Sequence, residues 1–191
     1  MRPGDDGAKG GAGAILRPRV EIVPAAGMLW TPVRTRPRRE KKLAEYCAAK
    51  AITCYLPLTR SVKRYGSKTH EFLLPMFAGY AFCQLDEPLF RELLGSHTVL
   101  FRVMVDGSAE SRLIDDLRGV QALESCAVGK ELVVKPELTP GAAVLVRNGP
   151  LKGVKGVVQR RQGGVMLFVN IEILGNSVGV QLDVGDVELD A

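Results

Sequence analysis

The chain predicts an α+β fold with a second, all-β module. A mainly antiparallel sheet flanked by helices is expected over 28–123, and a small C-terminal β-barrel over 140–191. Three observations carry this. In the first module, stretches of helical period alternate with aromatic and β-branched runs. From Pro140 onward, eleven valines and two isoleucines fall within 52 residues, cut by glycine-rich turns at Gly149-Pro150, Gly153, Gly156, Gly163-Gly164 and Gly175-Asn176. Between 124 and 139 the periodicity lapses around Gly129 and Pro136, which marks a linker.

The elements follow in order. Residues 1–27 read as a flexible tail, with Gly4, Gly7, Gly10, Gly11 and Gly13 crowding its start. Ile15 to Val23 is either a stray strand or a docking segment. Order is expected to begin at Met28, and Leu29 to Val33 is a strand with an edge-type proline at Pro32. Thr35-Arg36-Pro37 carries a helix-start signal, a hydroxyl cap followed by proline, for a helix running to about Ala51. Leu43, Tyr46, Cys47 and Ala51 form its inward stripe. Ile52 to Leu56 is a strand. Two polar strands flank a hairpin turn at Tyr65-Gly66-Ser67-Lys68. Tyr80 to Leu85 is a central strand, Pro88 to Leu94 a short helix, Val99 to Val105 a strand, and Leu113 to Leu123 a helix.

Charge is local. The net charge is +5 with a pI of about 9.1. Arg34 to Lys42 alone holds six basic residues against one acid, Glu40, and so carries +5 by itself. Extended to Phe72 the local charge reaches +8, which leaves the remainder about neutral to slightly acidic. Concentrated positive charge points to a polyanionic partner. In the helix expected here, Arg38, Arg39, Lys41 and Lys42 oppose the helix dipole. Their use is therefore sought in contacts with nucleic-acid phosphates, with Arg34 and Arg36 alongside and Arg60, Lys63, Arg64 and Lys68 extending the surface.

Chemistry of other kinds finds little footing. Cys47, Cys54, Cys83 and Cys126 form no Cys-x-x-Cys pair, so no metal site is read from spacing. They are expected to be reduced thiols packed as small hydrophobes. His70 lies near Glu71 and His97 near Ser96, without a nucleophile, base and orienter set, and no P-loop context occurs. No catalysis and no cofactor are expected. Nor does any apolar run approach the ~20 residues that span a bilayer. A cytoplasmic, monomeric protein with no membrane partner is expected.

Three segments resemble the NusG family of transcription factors, over about 28–191. Trp30-Thr31-Pro32-Val33-Arg34-Thr35-Arg36-Pro37-Arg38-Arg39-Glu40-Lys41-Lys42 resembles the opening strand and helix of the family's N-terminal domain, especially of its specialised paralogues. Leu74-Pro75-Met76-Phe77-Ala78-Gly79-Tyr80-Ala81-Phe82 resembles its Phe-Pro-Gly-Tyr segment, with Ala78 where the family has proline. Since alanine does not fix φ, a looser turn is expected. Gly141 to Val158 resembles the KOW motif of an SH3-like barrel, and Ile173 to Asp183 the closing strands.

The resemblance implies function. The N-terminal domain would hold the β′ clamp helices of RNA polymerase in a hydrophobic depression of Phe77 and Tyr80, walled by Leu74, Met76 and Trp30. Upstream or non-template DNA would meet the basic surface. The loop Leu174-Gly175-Asn176-Ser177 would recruit termination factor Rho or a small-subunit ribosomal protein. The chain would then reduce pausing or termination, as an antitermination factor on long operons. Some paralogues refold the KOW domain as helices, but the valine-rich sequence favours strands here. A ribosome-associated KOW-type RNA-binding protein is the alternative. It would need a basic barrel, whereas the segment from Gly141 has five basic and five acidic residues.

Overall fold

The computed structural model describes residues 19–66, 68–127, 132–136, 142–146, 149–161, 164–182 and 189–190. Residues 1–18 of the expected tail, Ser67 of the expected turn and residues 128–131 and 137–139 of the expected linker lie outside them.

The first strand, β1 (Leu29–Thr35), leads to helix α1 (Glu40–Ala49), which begins later than the sequence predicts. Thr35 does not cap it and ends β1 instead. A residue before proline, as Arg36 is before Pro37, is disfavoured in helical backbone, and Arg38 then turns through φ 61°. Arg39 takes the N-cap position with no side-chain cap, so only Lys41 and Lys42 of the basic cluster lie in the helix. The chain continues through β2 (Cys54–Tyr55), β3 (Leu58–Tyr65), β4 (Lys68–Pro75) and β5 (Tyr80–Leu85). Helix α2 (Glu87–Gly95) follows, with Asp86 accepting from the Leu89 N–H at 2.8 Å as its N-cap. Strand β6 (Val99–Arg102) stops short of Val105, and α3 (Gly107–Cys126) is capped by Asp106, which accepts from the Ala109 N–H at 2.8 Å.

Strands β2-β5-β1-β6 form one antiparallel sheet. Alternation along β5 divides its side chains between two cores. Ala81, Cys83 and Leu85 pack with Leu43 and Cys47 of α1 and Leu93 of α2. Phe82, with Trp30 and Tyr55, packs with Leu113, Leu117 and Val120 of α3. Strands β3 and β4 pair only with each other, as a hairpin.

The second module is a six-stranded antiparallel sheet: β7 (Leu132–Pro136), β8 (Ala142–Val146), β9 (Lys155–Arg161), β10 (Gly164–Ile171), β11 (Asn176–Leu182) and β12 (Leu189–Asp190), in the order β12-β8-β9-β10-β11-β7. A 3-10 turn, Glu172–Leu174, links β10 to β11. Among the described residues no pairing joins β12 to β7, so the expected barrel is seen as an open sheet. The expected linker is largely structured: α3 runs on to Cys126, and β7 pairs with β11.

Helix α3 lies between the two sheets. On one side the Glu110 carboxylate accepts from the Trp30 N–H at 2.9 Å. On the other, Gly119 comes up against Val169 of β10, and Arg112 pairs with Glu172 at 3.5 Å. One apolar cluster therefore runs from Trp30 and Phe82 through α3 to Val154, Leu167 and Val169. The end of the expected tail joins it. Ile22 is buried, and its carbonyl accepts from Arg118 at 2.8 Å, while the Val23 carbonyl accepts from the Trp30 indole at 2.9 Å and from Gln84 at 2.7 Å.

Candidate functional site

The turn after the hairpin is built around Gly79. Its φ is +82°, where an L side chain is strained, and a Cβ there would lie 2.6 Å from Nη1 of Arg34. Its N–H donates to Oε1 of the buried Glu40 at 2.7 Å, and its carbonyl accepts from the Thr35 N–H at 2.8 Å. The Arg34 guanidinium lies 4.7 Å from the Tyr80 ring centroid and donates to the Ala78 carbonyl at 3.3 Å. Hydrogen bonds with α1 and β1 thus hold the chain immediately after Ala78. Glu40, read from sequence as a partial charge offset, is the main structural clamp here.

The residues expected to line the polymerase depression divide between buried and exposed positions. Trp30, Met76 and Phe77 are 0%, 5% and 3% exposed, and Phe77 stacks edge-on to Phe82 at 5.7 Å. They lie in the cluster shared with α3 and the second sheet, since a valine-rich sheet nearby gives apolar anchors something to bury against. Tyr80 is half-buried, and Leu74 is exposed on the hairpin.

The hairpin brings exposed apolar residues (Val62, Tyr65, Phe72, Leu73 and Leu74) together with basic ones (Arg60, Lys63, Arg64 and Lys68). Its register faces Lys63 with His70, Tyr65 with Lys68 and Ser61 with Phe72. Alternation puts Lys63, Tyr65, Lys68, His70, Phe72 and Leu74 on one face. Along it the Tyr65 and His70 rings meet edge-on at 6.0 Å, and His70 stacks with Phe72 at 6.3 Å. The opposite face holds Arg60, Val62, Arg64 and Leu73, with Arg60 ion-paired to Glu71. Arg36, Arg38, Arg39, Lys41 and Lys42 are exposed before and within the first turn of α1.

At the other end, Leu174 is half-buried against the shared cluster, and its carbonyl accepts from the Asn176 amide at 2.9 Å. Gly175 turns through φ 60°, and Ser177 is fully buried within β11. Of the expected partner loop, only the turn itself is exposed.

The family described as "Transcription termination factor nusG" matches residues 28–123, just over half of the chain. The chain belongs to the NusG family. Among solved structures, "Domain interaction in Thermotoga maritima NusG" is similar at 20% identity with a TM-score of 0.41, covering 84% of this chain and 96% of that one. "Crystal Structure of MjSpt4:Spt5 complex conformation A" is similar at 17% identity with a TM-score of 0.24, covering 85% and 99%. No characterised protein matches by sequence comparison.

Membership makes this chain a transcription elongation factor of the NusG type. The NusG match contains the Gly79 turn, the hairpin and the basic segment, whereas the second sheet lies beyond it. Sequence reasoning missed two features of this NusG-family domain. One is Glu40, whose role depends on a partner 39 positions away. The other is a meeting of three thiols. Cys47, Cys54 and Cys83 have sulfurs within 4.8 Å of one another, although they lie on α1, β2 and β5. Hydrogen bonds from Cys54 and Cys83 draw the Cys47 thiol down to about 4, while the bond to Cys47 pushes Cys83 up. No short spacing motif signals this cluster, because pairing of β2 with β5 creates it.

Proposed function

We propose that this NusG-family chain binds RNA polymerase at the β′ clamp helices through the first domain, lies along the non-template strand, and reduces pausing or termination. The observation that carries this is the hairpin. A two-stranded hairpin exposed on both faces has little to hold it in water. Yet this one exposes Phe72, Leu73 and Leu74 in succession, with Val62 and Tyr65 nearby. Surface of that kind is kept for a macromolecular partner. The clamp helices meet Leu74 and Tyr80 first, and reach Phe77, Met76 and Trp30 only after part of the shared cluster opens.

The face of Lys63, Tyr65, Lys68, His70 and Phe72 suits single-stranded nucleic acid. Aromatic rings stack on unpaired bases of any sequence, and lysines follow the backbone. Arg34, Arg36, Arg38, Arg39, Lys41 and Lys42, together with Arg60 and Arg64, extend this to phosphates of the upstream duplex. The second sheet is read as a KOW domain, which recruits Rho or a small ribosomal protein at the turn Leu174-Gly175-Asn176-Ser177.

The test is capture of core RNA polymerase by the purified chain, with Tyr80→Ala and a Phe72→Ala/Leu74→Ala pair as variants, each shown to be folded by circular dichroism. Both variants are expected to lose most of the captured polymerase. Capture equal to that of the unaltered chain by folded variants would remove the polymerase site from this surface.

A further inference from the structure

Three of the four cysteines meet at one point in the core of the first domain. Cys47 comes from the inner face of α1, Cys54 from β2 and Cys83 from β5, and all three sulfurs lie within 4.8 Å of one another. Two local features hold them there. Cys54 and Cys83 face each other directly in the β2–β5 register. Between Cys47 and Cys54 the chain reverses sharply: Ala51 takes φ 54°, and the Ile52 N–H donates to the Cys47 carbonyl at 2.8 Å.

The surroundings are aliphatic, with Leu43, Ile52, Ala81 and Leu93 in the same cluster. Cys47 and Cys83 are fully buried, and Cys54 is half-buried, which gives the group one side toward solvent. Among the described residues, no carboxylate or imidazole joins the three sulfurs.

Packing of small side chains does not require three sulfurs from three elements to converge. Chelation does. Metal–sulfur bonds of about 2.3 Å set sulfur ligands about 3.8–4.0 Å apart, so shifts of about 1 Å or less close the ring. Thiolates select soft ions such as Cu(I) and Zn(II). A structural zinc takes four ligands, and among the described residues no fourth joins the three. A monovalent copper ion is satisfied by three.

We propose that Cys47, Cys54 and Cys83 form a three-sulfur site for one soft metal ion of the Cu(I) type. Bound there, the ion ties α1 to β2 and β5 on the face of the sheet opposite α3. Each thiol that ligates as thiolate releases its proton to solvent on binding.

The experiment is an anaerobic titration of the full-length reduced protein with Cu(I) against a chromophoric Cu(I) chelator, with Zn(II) in a parallel competition. One equivalent of Cu(I) is expected to leave the chelator, and excess Zn(II) is expected not to displace it. Cys54→Ser, the least buried position, is expected to weaken binding by more than the roughly tenfold that even an outer-shell change costs. Cys126→Ser is expected to bind as the unaltered chain does. A second readout needs no variant: Cu(I) is expected to protect Cys54 from alkylation, mapped by peptide mass spectrometry. Absence of stoichiometric uptake, unchanged affinity in Cys54→Ser, displacement by Zn(II), or equal alkylation with and without Cu(I) would each overturn the assignment.

Discussion

Gly119 and Val169 approach so closely that even a methyl group at position 119 would require Val169 to shift. A Cβ there would lie 2.9 Å from Cγ1 and 3.3 Å from Cγ2 of Val169. Glycine inside a helix costs about 1 kcal/mol relative to alanine, so a 20-residue helix keeps it at a cost unless something needs the space. Here β10 needs it. Gly119→Ala is expected to be near neutral, because helix propensity offsets a tight contact. Gly119→Leu is expected to overpack the junction by about 1–3 kcal/mol and separate α3 from β10. Amide hydrogen exchange should then rise in both elements, and polymerase capture should rise with it. Unchanged protection of β10 in Gly119→Leu would mean that the second sheet does not rest on α3.

A second prediction concerns the Glu40–Gly79 bond. The Gly79 N–H has its acceptor 39 positions away, at 2.7 Å and out of water. Glu40→Ala leaves that donor buried and unpaired, which costs about 1–3 kcal/mol. Thermal unfolding should fall by at least about 2 °C. Glu40→Gln keeps a carbonyl acceptor in place and should recover most of the loss. If the two variants unfolded at the same temperature, charge rather than this hydrogen bond would be what Glu40 supplies.

These two contacts also show what the sequence made legible. Element type came through clearly wherever periodicity is strong. The aromatic and apolar run Tyr80–Leu85 and the stripe Leu113, Leu117, Val120 and Leu123 both appear as expected, as β5 and α3. Boundaries failed where local signals compete. Thr35 looks like a cap, but Pro37 and the left-handed Arg38 delay the helix to Glu40. Long-range effects were not legible at all. The burial of Phe77 and Met76, the convergence of Cys47, Cys54 and Cys83, and the docking of Ile22 on α3 all depend on residues distant in sequence. The hairpin was legible as polar strands, but its aromatic face became visible only once the register paired Lys63 with His70.

That face gives the third prediction. Tyr65 is 60% exposed and Phe72 is 42% exposed, so neither holds the core together. Tyr65→Ala and Phe72→Ala should leave thermal stability nearly unchanged. Each should weaken binding of single-stranded DNA by about 1–3 kcal/mol, the usual worth of one base stack, while leaving the salt dependence alone. Lys63→Gln/Lys68→Gln should do the reverse, lowering the slope of log affinity against log salt by about 0.7 for each phosphate that is no longer neutralised. Fluorescence anisotropy with a labelled single strand at several salt concentrations separates the two. Equal weakening on duplex and single strand for Tyr65→Ala would point to the sugar-phosphate backbone instead of stacking.

The fourth prediction is a pH dependence seated at Glu124. Its carboxylate accepts from the Tyr55 hydroxyl at 2.6 Å and from the Leu58 N–H at 2.8 Å, joining the end of α3 to β2 and β3. Burial pushes its carboxyl above the usual range, and the two hydrogen bonds pull it only part of the way back. An acid whose folded pKa is raised favours the folded state when protonated. That contribution is fully present below the ordinary glutamate value of about 4.3 and is lost as pH rises through the raised value. Glu124→Gln stays neutral throughout. Its carbonyl can still accept from Leu58 and its amide can donate to the Tyr55 oxygen. The difference in unfolding temperature between the natural chain and Glu124→Gln, followed upward from pH 4, should therefore shift steadily in favour of the variant and then level off. A difference that stays flat across that range would mean that Glu124 ionises as freely in the folded chain as in the unfolded one.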